Sequence, residues 1–241
     1  MPASIRYQIF DVLRGIAIVL MVYYHFSWDL NHFGLVRYDF YHDPWWLHLR
    51  TLIVSLFLGL VGVSLVLAAS GGIDWRRWWR RLGALVFFAL AITLVTWVQN
   101  AERVVVFGIL HFIAFASVAG LVFLRGYWTV LAAGVAMLAA GNLWSHPIFD
   151  RPALHWLGLM THKPVTEDYV PVLPWMGVVL LGMFLGRSLE RAPRLRTLAT
   201  RRSERLPARA LALAGRHSLL IYVTHQPVLY GLFAALLALR R

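Results

Sequence analysis

Apolar residues run through this chain in long blocks, each bounded by polar or turn residues, and hydropathy over such blocks predicts seven membrane spans. They cover residues 9–28, 47–70, 82–99, 104–124, 127–144, 169–189 and 210–239, the last long enough to tilt or to bend near Pro227. The first block, IFDVLRGIAIVLMVYYHFSWDLNHFG over residues 9–34, differs from the others in carrying Asp11, Arg14, His25 and Asp29 within it or at its edges. Ionisable groups at such depth are costly and mark function by default. In a helix, the step from Arg14 to His25 returns to within about 20° of the starting direction, roughly 16 Å further along the axis. Asp11, Arg14, Ile18, Met21, His25, Asp29 and His32 therefore share one face. The competing structural reading is that Asp11 and Arg14 pair with each other at i, i+3 and that His25 is a satisfied interfacial histidine.

Composition fits an all-α, polytopic membrane bundle of about seven helices forming one domain over residues 1–241. Hydrophobic residues make up 60%, charged residues only 14%, and the mean hydropathy is +0.66, whereas about a quarter of a soluble domain is charged. Eleven Trp and nine Tyr suit interfacial belts. The net charge of +12 is spread over arginines between apolar spans, with no folded basic domain around them, which argues against nucleic acid as a partner. The absence of cysteine excludes disulfides and thiolate catalysis. Arg6 resembles the start of a signal peptide, but Asp11 and Arg14 interrupt its would-be apolar core and no small-x-small site follows, so the segment is expected to be retained.

Arginine placement sets the expected orientation. One set of loops holds Arg6, then Arg76, Arg77, Arg80 and Arg81, then Arg125, then the arginine-rich run 187–209, read as a surface loop. The other set holds Arg37, Arg50, Arg103, Arg151 and Lys163. By the positive-inside rule the first set, and the N-terminus, face the cytoplasm. Arg240 and Arg241 then fall on the outer side, a mild conflict that leaves an eighth crossing or a re-entrant final segment open. The outer loops 30–46 and 145–168 are rich in His, Trp and Asp, yet none of their histidines has the spacing of a helical metal motif, so no metal is expected. IDWRRWWRRLG, residues 73–83, mixes arginine with tryptophan. It reads equally as a basic interfacial helix on anionic lipid or as a phosphate site for a soluble cofactor.

Three further polar features lie within apolar blocks. FGILHFIAFAS places His111 in an otherwise apolar helix, where a lone histidine usually bonds a neighbouring helix. EDYVPVLPWMG brings Asp168 to the outer mouth, with Pro171 and Pro174 freeing backbone groups that need a protein-lined or wet setting. GRHSLLIYVTHQPVL sets Tyr222, His225 and Gln226 at mid-depth, with Tyr222 and His225 on one face.

LRGIAIVLMVYYH resembles the first-helix signature of transmembrane acyltransferases, an arginine followed after ten residues by a histidine, matched by Arg14 and His25. FGILHFIA, DYVPVLPWMGVVLLGMFLG and GRHSLLIYVTHQPVL resemble more particularly the branch related to heparan-alpha-glucosaminide N-acetyltransferase, bacterial homologues included. The resemblance implies a multi-span enzyme of the bacterial inner membrane that takes acetyl-coenzyme A from the cytoplasm and acylates an amine or hydroxyl of a saccharide on the far side. Lipid, acyl-coenzyme A, a saccharide and a second copy of the chain are the partners it suggests. The chain departs from the family in having fewer spans than the eukaryotic member and in carrying His25 where that member has asparagine.

Joined to the helical geometry, the resemblance suggests Arg14, with Arg76, Arg77, Arg80 and Arg81, for phosphates of the donor. His25 becomes the base, with Asp29 orienting it as a carboxylate does in a triad, and His32 is its rival. His25 as a transient acyl carrier is the alternative route. Asp11, His111, Asp168, Tyr222 and His225 form a wider set of substrate-binding or structural polar groups. A proton-coupled transporter would also need buried Asp, Arg and His, but inverted repeats are absent from the sequence. A scaffold protein would explain the basic loops and not the aligned polar face.

Overall fold

The structure, a computed structural model, describes residues 7–166 and 168–239. Arg6, Arg240 and Arg241, which entered the orientation argument, and Glu167 lie outside these residues. Among the described residues the regular structure is entirely helical. Five helices among these residues are long and apolar enough to cross a membrane: α1 (Gln8–His32), α2 (Pro44–Ala69), α3 (Trp75–Gln99), α6 (Val172–Arg191) and α9 (Ser218–Ala238). The fourth and fifth predicted spans are shorter. The fourth is α4 (Ile109–Ala119) with a 3₁₀ turn to Phe123, and the fifth is α5 (Trp128–Leu143). At 1.5 Å per residue α5 is about 24 Å long, less than the ~30 Å of a bilayer's hydrocarbon.

Two boundaries differ from the sequence reading in ways that matter. The basic segment 73–83 is no separate interfacial element but the opening of α3, whose N-terminus is capped by Asp74 accepting the Arg77 N–H at 3.0 Å. The last predicted span is two helices, α8 (Leu206–Arg216) and α9, with His217 between them at φ −101°, ψ 20°. A hydropathy window averages over the short polar break Arg216–His217–Ser218 and so reads straight through it. The presumed surface loop 187–209 is also largely helical. Here α6 continues to Arg191, α7 (Pro193–Thr200) follows, and both α7 and α8 start with proline in the first turn, where its missing N–H costs nothing.

The chain forms two compact units, with α2 contributing to each. In the first, residues 58–193, α5 and α6 pack through small residues. A Cβ on Gly177 would lie 2.7 Å from the Gly134 carbonyl oxygen. α6 begins irregularly, with Leu173 between Pro171 and Pro174 at φ −103°, ψ 132°. Outside the helices the Thr161 amide and hydroxyl both donate to Asp150 at 2.8 Å, and these bonds hold its carboxyl below the usual carboxylate range.

Among the described residues the second unit comprises 7–57 and 194–239. Its apolar centre joins Ile18 and Met21 of α1 to Phe40, Trp46, Leu49 and Ile53, with Ile221 and Tyr222 of α9 packed against them. α8 lies directly on α1. A methyl group on Gly15 would overlap the Leu211 carbonyl oxygen, and one on Gly215 would overlap that of Asp11. α1 runs to His32, four residues past the predicted span, and ends in a left-handed Gly34 at φ +72°. The Gly34 N–H bonds the Asn31 carbonyl and the Leu35 N–H bonds that of Leu30, at 3.1 and 2.9 Å, the paired closure of a Schellman motif.

Candidate active site

The polar file predicted on α1 is present, but its members have different partners from those expected. At its N-terminal end Asp11 is 2% exposed, and Arg14 Nη1 donates to its Oδ1 at 2.9 Å. The i, i+3 pair is therefore made. Its other oxygen, Oδ2, takes Arg216 Nε at 3.4 Å, bringing in the last residue of α8. Two partly exposed guanidiniums thus share one buried carboxylate. Sequence reasoning passed over Arg216 because 205 residues separate it from Asp11.

Further along α1, His25 is half-buried and its Nδ1 lies 3.0 Å from the Met21 carbonyl. A carbonyl only accepts, so Nδ1 carries the proton and Nε2 of the neutral ring keeps its lone pair. The expected Asp29–His25 pair is not formed. Helical side chains lean toward the N-terminus, and the His25 ring follows, bonding the turn before it rather than the turn after. Asp29, with no exposed surface, instead accepts from Gln226 Nε2 at 2.7 Å.

α9 supplies the opposing wall. His225 repeats the state of His25, for its Nδ1 is 2.6 Å from the Tyr222 carbonyl, which again leaves Nε2 as an acceptor. The two imidazoles meet edge to face, with centroids 4.8 Å apart and planes at 78°. Tyr222 stands beside His225 at 5.9 Å between centroids, as their spacing predicted. Three buried polar atoms in this small region have no hydrogen-bond partner among the described residues: Asp29 Oδ2, His225 Nε2 and Gln226 Oε1. Unsatisfied buried groups are rare and call for an explanation. Gln226 Oε1 is an acceptor, as are His225 Nε2 and His25 Nε2 of the neutral rings, and as a carboxylate Asp29 offers Oδ2 in the same way. The site is thus built to receive hydrogen-bond donors.

His32, the rival base, is in neither state. It is exposed and stacks on Trp28 at 5.1 Å and 14°, with Tyr230 at 5.8 Å. Beyond it the α1–α2 loop borders a cavity of about 370 Å³ lined by Trp28, Asn31, Arg37, Tyr38, Asp39, Phe40 and Tyr41. The Tyr41 amide and the His42 ring bond Asp39 and keep its carboxyl below the ordinary range.

The other candidates belong to the first unit. Arg76, Arg77, Arg80 and Arg81 are exposed on the opening turns of α3. His111 has both nitrogens engaged: the Gly108 N–H donates to Nδ1 at 3.3 Å, and Nε2 lies 3.1 Å from Thr93 Oγ1. The Thr93 hydroxyl in turn donates to the Val105 carbonyl at 2.6 Å. Proton positions are fixed throughout this chain, so His111 fastens the start of α4 to α3. Asp168 helps, its Oδ2 accepting the Ile109 N–H at 2.8 Å as a cap. Replacing His111 by Phe keeps the bulk and leaves the Gly108 N–H without its acceptor. It should cost roughly 1–3 kcal/mol in unfolding measurements in detergent, and unchanged stability would return His111 to the reactive groups.

Comparison with known proteins adds one finding. The family described as heparan-alpha-glucosaminide N-acetyltransferase, catalytic, matches residues 6–227, a stretch that reaches into both units and includes Arg14, His25, Asp29, Arg216, His225 and Gln226. Neither a search of curated proteins nor one of solved structures finds a match.

Proposed function

The chain belongs to the heparan-alpha-glucosaminide N-acetyltransferase catalytic family, and on that premise we propose that it moves an acetyl group from cytoplasmic acetyl-coenzyme A to a primary amine of a saccharide on the extracytoplasmic side, in a bacterial inner membrane. The observation that carries the choice of an amine is the set of unpartnered acceptors, Asp29 Oδ2, Gln226 Oε1 and His225 Nε2, beside the lone pair of His25. An ammonium ion offers three N–H donors and a charge that compensates Asp29, whereas a hydroxyl offers one donor and no charge. His25 Nε2 is the base that removes the proton of the attacking nitrogen.

On the donor side the partly exposed guanidiniums of Arg14 and Arg216 suit a phosphate of the coenzyme. The exposed Arg76, Arg77, Arg80 and Arg81 match the same chemistry, whether the phosphate belongs to donor or to lipid. The aromatic loop cavity offers ring faces and polar edges to a sugar.

The test uses purified protein in sealed, oriented vesicles. Acetyl-coenzyme A is supplied to the arginine-rich side, and glucosamine or glucose is confined to the other. Acetylated glucosamine should appear in the far compartment with release of the free thiol, and glucose should remain unmodified. Equal transfer to glucose overturns the amine assignment, and transfer only when both substrates share the cytoplasmic side overturns the cross-membrane reading.

A further inference from the structure

Acylation of an amine that arrives as its ammonium ion requires two protons to leave the nitrogen. The first must go before attack, to expose the lone pair, and the second once the C–N bond has formed. One of them ends on the departing sulfur and the other in water. A single base of the kind assigned to His25 accounts for only one. The structure holds a second imidazole in the same state: His225 Nδ1 is tied to the Tyr222 carbonyl, and its Nε2 is buried without a partner among the described residues, while the ring contacts that of His25.

We propose that His225 is a second base, taking the first proton from the acceptor ammonium while His25 handles the second. The inference rests on the amine reading given above. The ammonium gives one proton to His225 Nε2. The freed nitrogen pair attacks the thioester carbonyl, forming the C–N bond and moving the C=O pair to oxygen. His25 Nε2 takes a proton from that nitrogen. As the oxygen pair returns and the C–S bond breaks, the sulfur takes the proton from His25. Amide, thiol and protonated His225 remain, and His225 releases its proton to water as the product leaves. Two imidazolium rings 4.8 Å apart would repel each other. The oxyanion and the Asp29 carboxylate, linked to α9 through Gln226, supply the opposing charges at that moment. The titratable groups around His225 are His25 and Asp29 of α1, with His32 a turn beyond, and Tyr222 of its own helix.

A structural role for His225 and a proton-removing one differ in how the defect depends on the acceptor. His225→Asn keeps an amide N–H for the Tyr222 carbonyl and lacks Nε2. On glucosamine below the pKa of its amine, kcat/KM should fall about 10²-fold, the lower end of the usual loss of a general base. The loss should shrink toward parity as the pH rises past that pKa, and also for O-methylhydroxylamine, which is neutral at neutral pH. His25→Ala should instead lose activity on both acceptors alike, because every amine must shed the second proton. His225→Gln serves the same comparison if His225→Asn does not fold. A loss of equal size across acceptors and pH, or no loss, overturns the second base and leaves the transferase reading standing. Failure of the unaltered protein to acylate either amine overturns that reading first.

Discussion

His25→Ala should lower acetyl transfer by about 10²- to 10⁴-fold, some 3–5 kcal/mol of transition-state stabilisation, while the protein still inserts and folds. The magnitude follows from the role of Nε2: its lone pair is the base, and alanine removes it while the neighbouring His225 is already committed to the first proton. Stability should change little by comparison, because the bond lost is one ring N–H to the Met21 carbonyl, a group that also serves the helix ladder. The measurement is initial rate per folded molecule, normalised by size-exclusion behaviour in detergent. His32→Ala is the paired control. Its ring makes stacking contacts and no hydrogen bond among the described residues, so its loss should be felt in the acceptor's KM more than in kcat. An active His25→Ala beside an inactive His32→Ala would transfer the base to His32.

The second large effect is on the fold. Asp11→Asn removes a buried negative charge shared by Arg14 and Arg216, and with it the ionic link between α1 and α8. Removing one partner of a fully buried pair costs about 3–5 kcal/mol. Both guanidiniums here keep contact with solvent, so roughly 2–3 kcal/mol is expected from chemical unfolding. Arg14→Lys keeps the charge and should cost distinctly less, yet it should weaken coenzyme A binding, since an ammonium does not reproduce a bidentate fork. If calorimetry finds equal coenzyme A affinity for Arg14→Lys and the unaltered protein, Arg14 serves the fold alone. Equal stability of Asp11→Asn and the unaltered protein would show that glycine packing suffices to hold α1 to α8.

Much of α1 was legible because its signal is periodic: ionisable residues at helical spacing inside an apolar block place themselves on one face whatever surrounds the helix. The end of α1 was less legible, since hydropathy stopped the span at Trp28 and the helix runs to His32. What the sequence hid was long-range pairing. Asp29 looks toward His25 on paper because they are one turn apart, but it is bonded to Gln226, 197 residues away. Arg216 was overlooked for the same reason. The division of the last block into α8 and α9 escaped because a three-residue polar break is small beside the window that reads hydropathy. His111 shows the opposite case, since its isolation in an apolar helix suggested a helix-to-helix bond and the structure supplies one through Thr93. Residues 1–241 were expected to act as one domain. The described residues fall into two compact units, and the family match over residues 6–227 reaches into both.

His25 and His225 are each aimed by a main-chain carbonyl of their own helix, four and three residues back. In a triad that duty falls to a third side chain, which leaves a letter in the sequence and can be deleted by mutation. Here the aiming group is carried by whatever amino acid occupies position 21 or 222, so the device is written in helix pitch rather than in residue identity. Substitutions at Met21 that preserve packing should leave the tautomer untouched, and no pattern of side chains advertises that the rings are preset. Insertion or deletion of one residue between 21 and 25 would misdirect the base as thoroughly as replacing it.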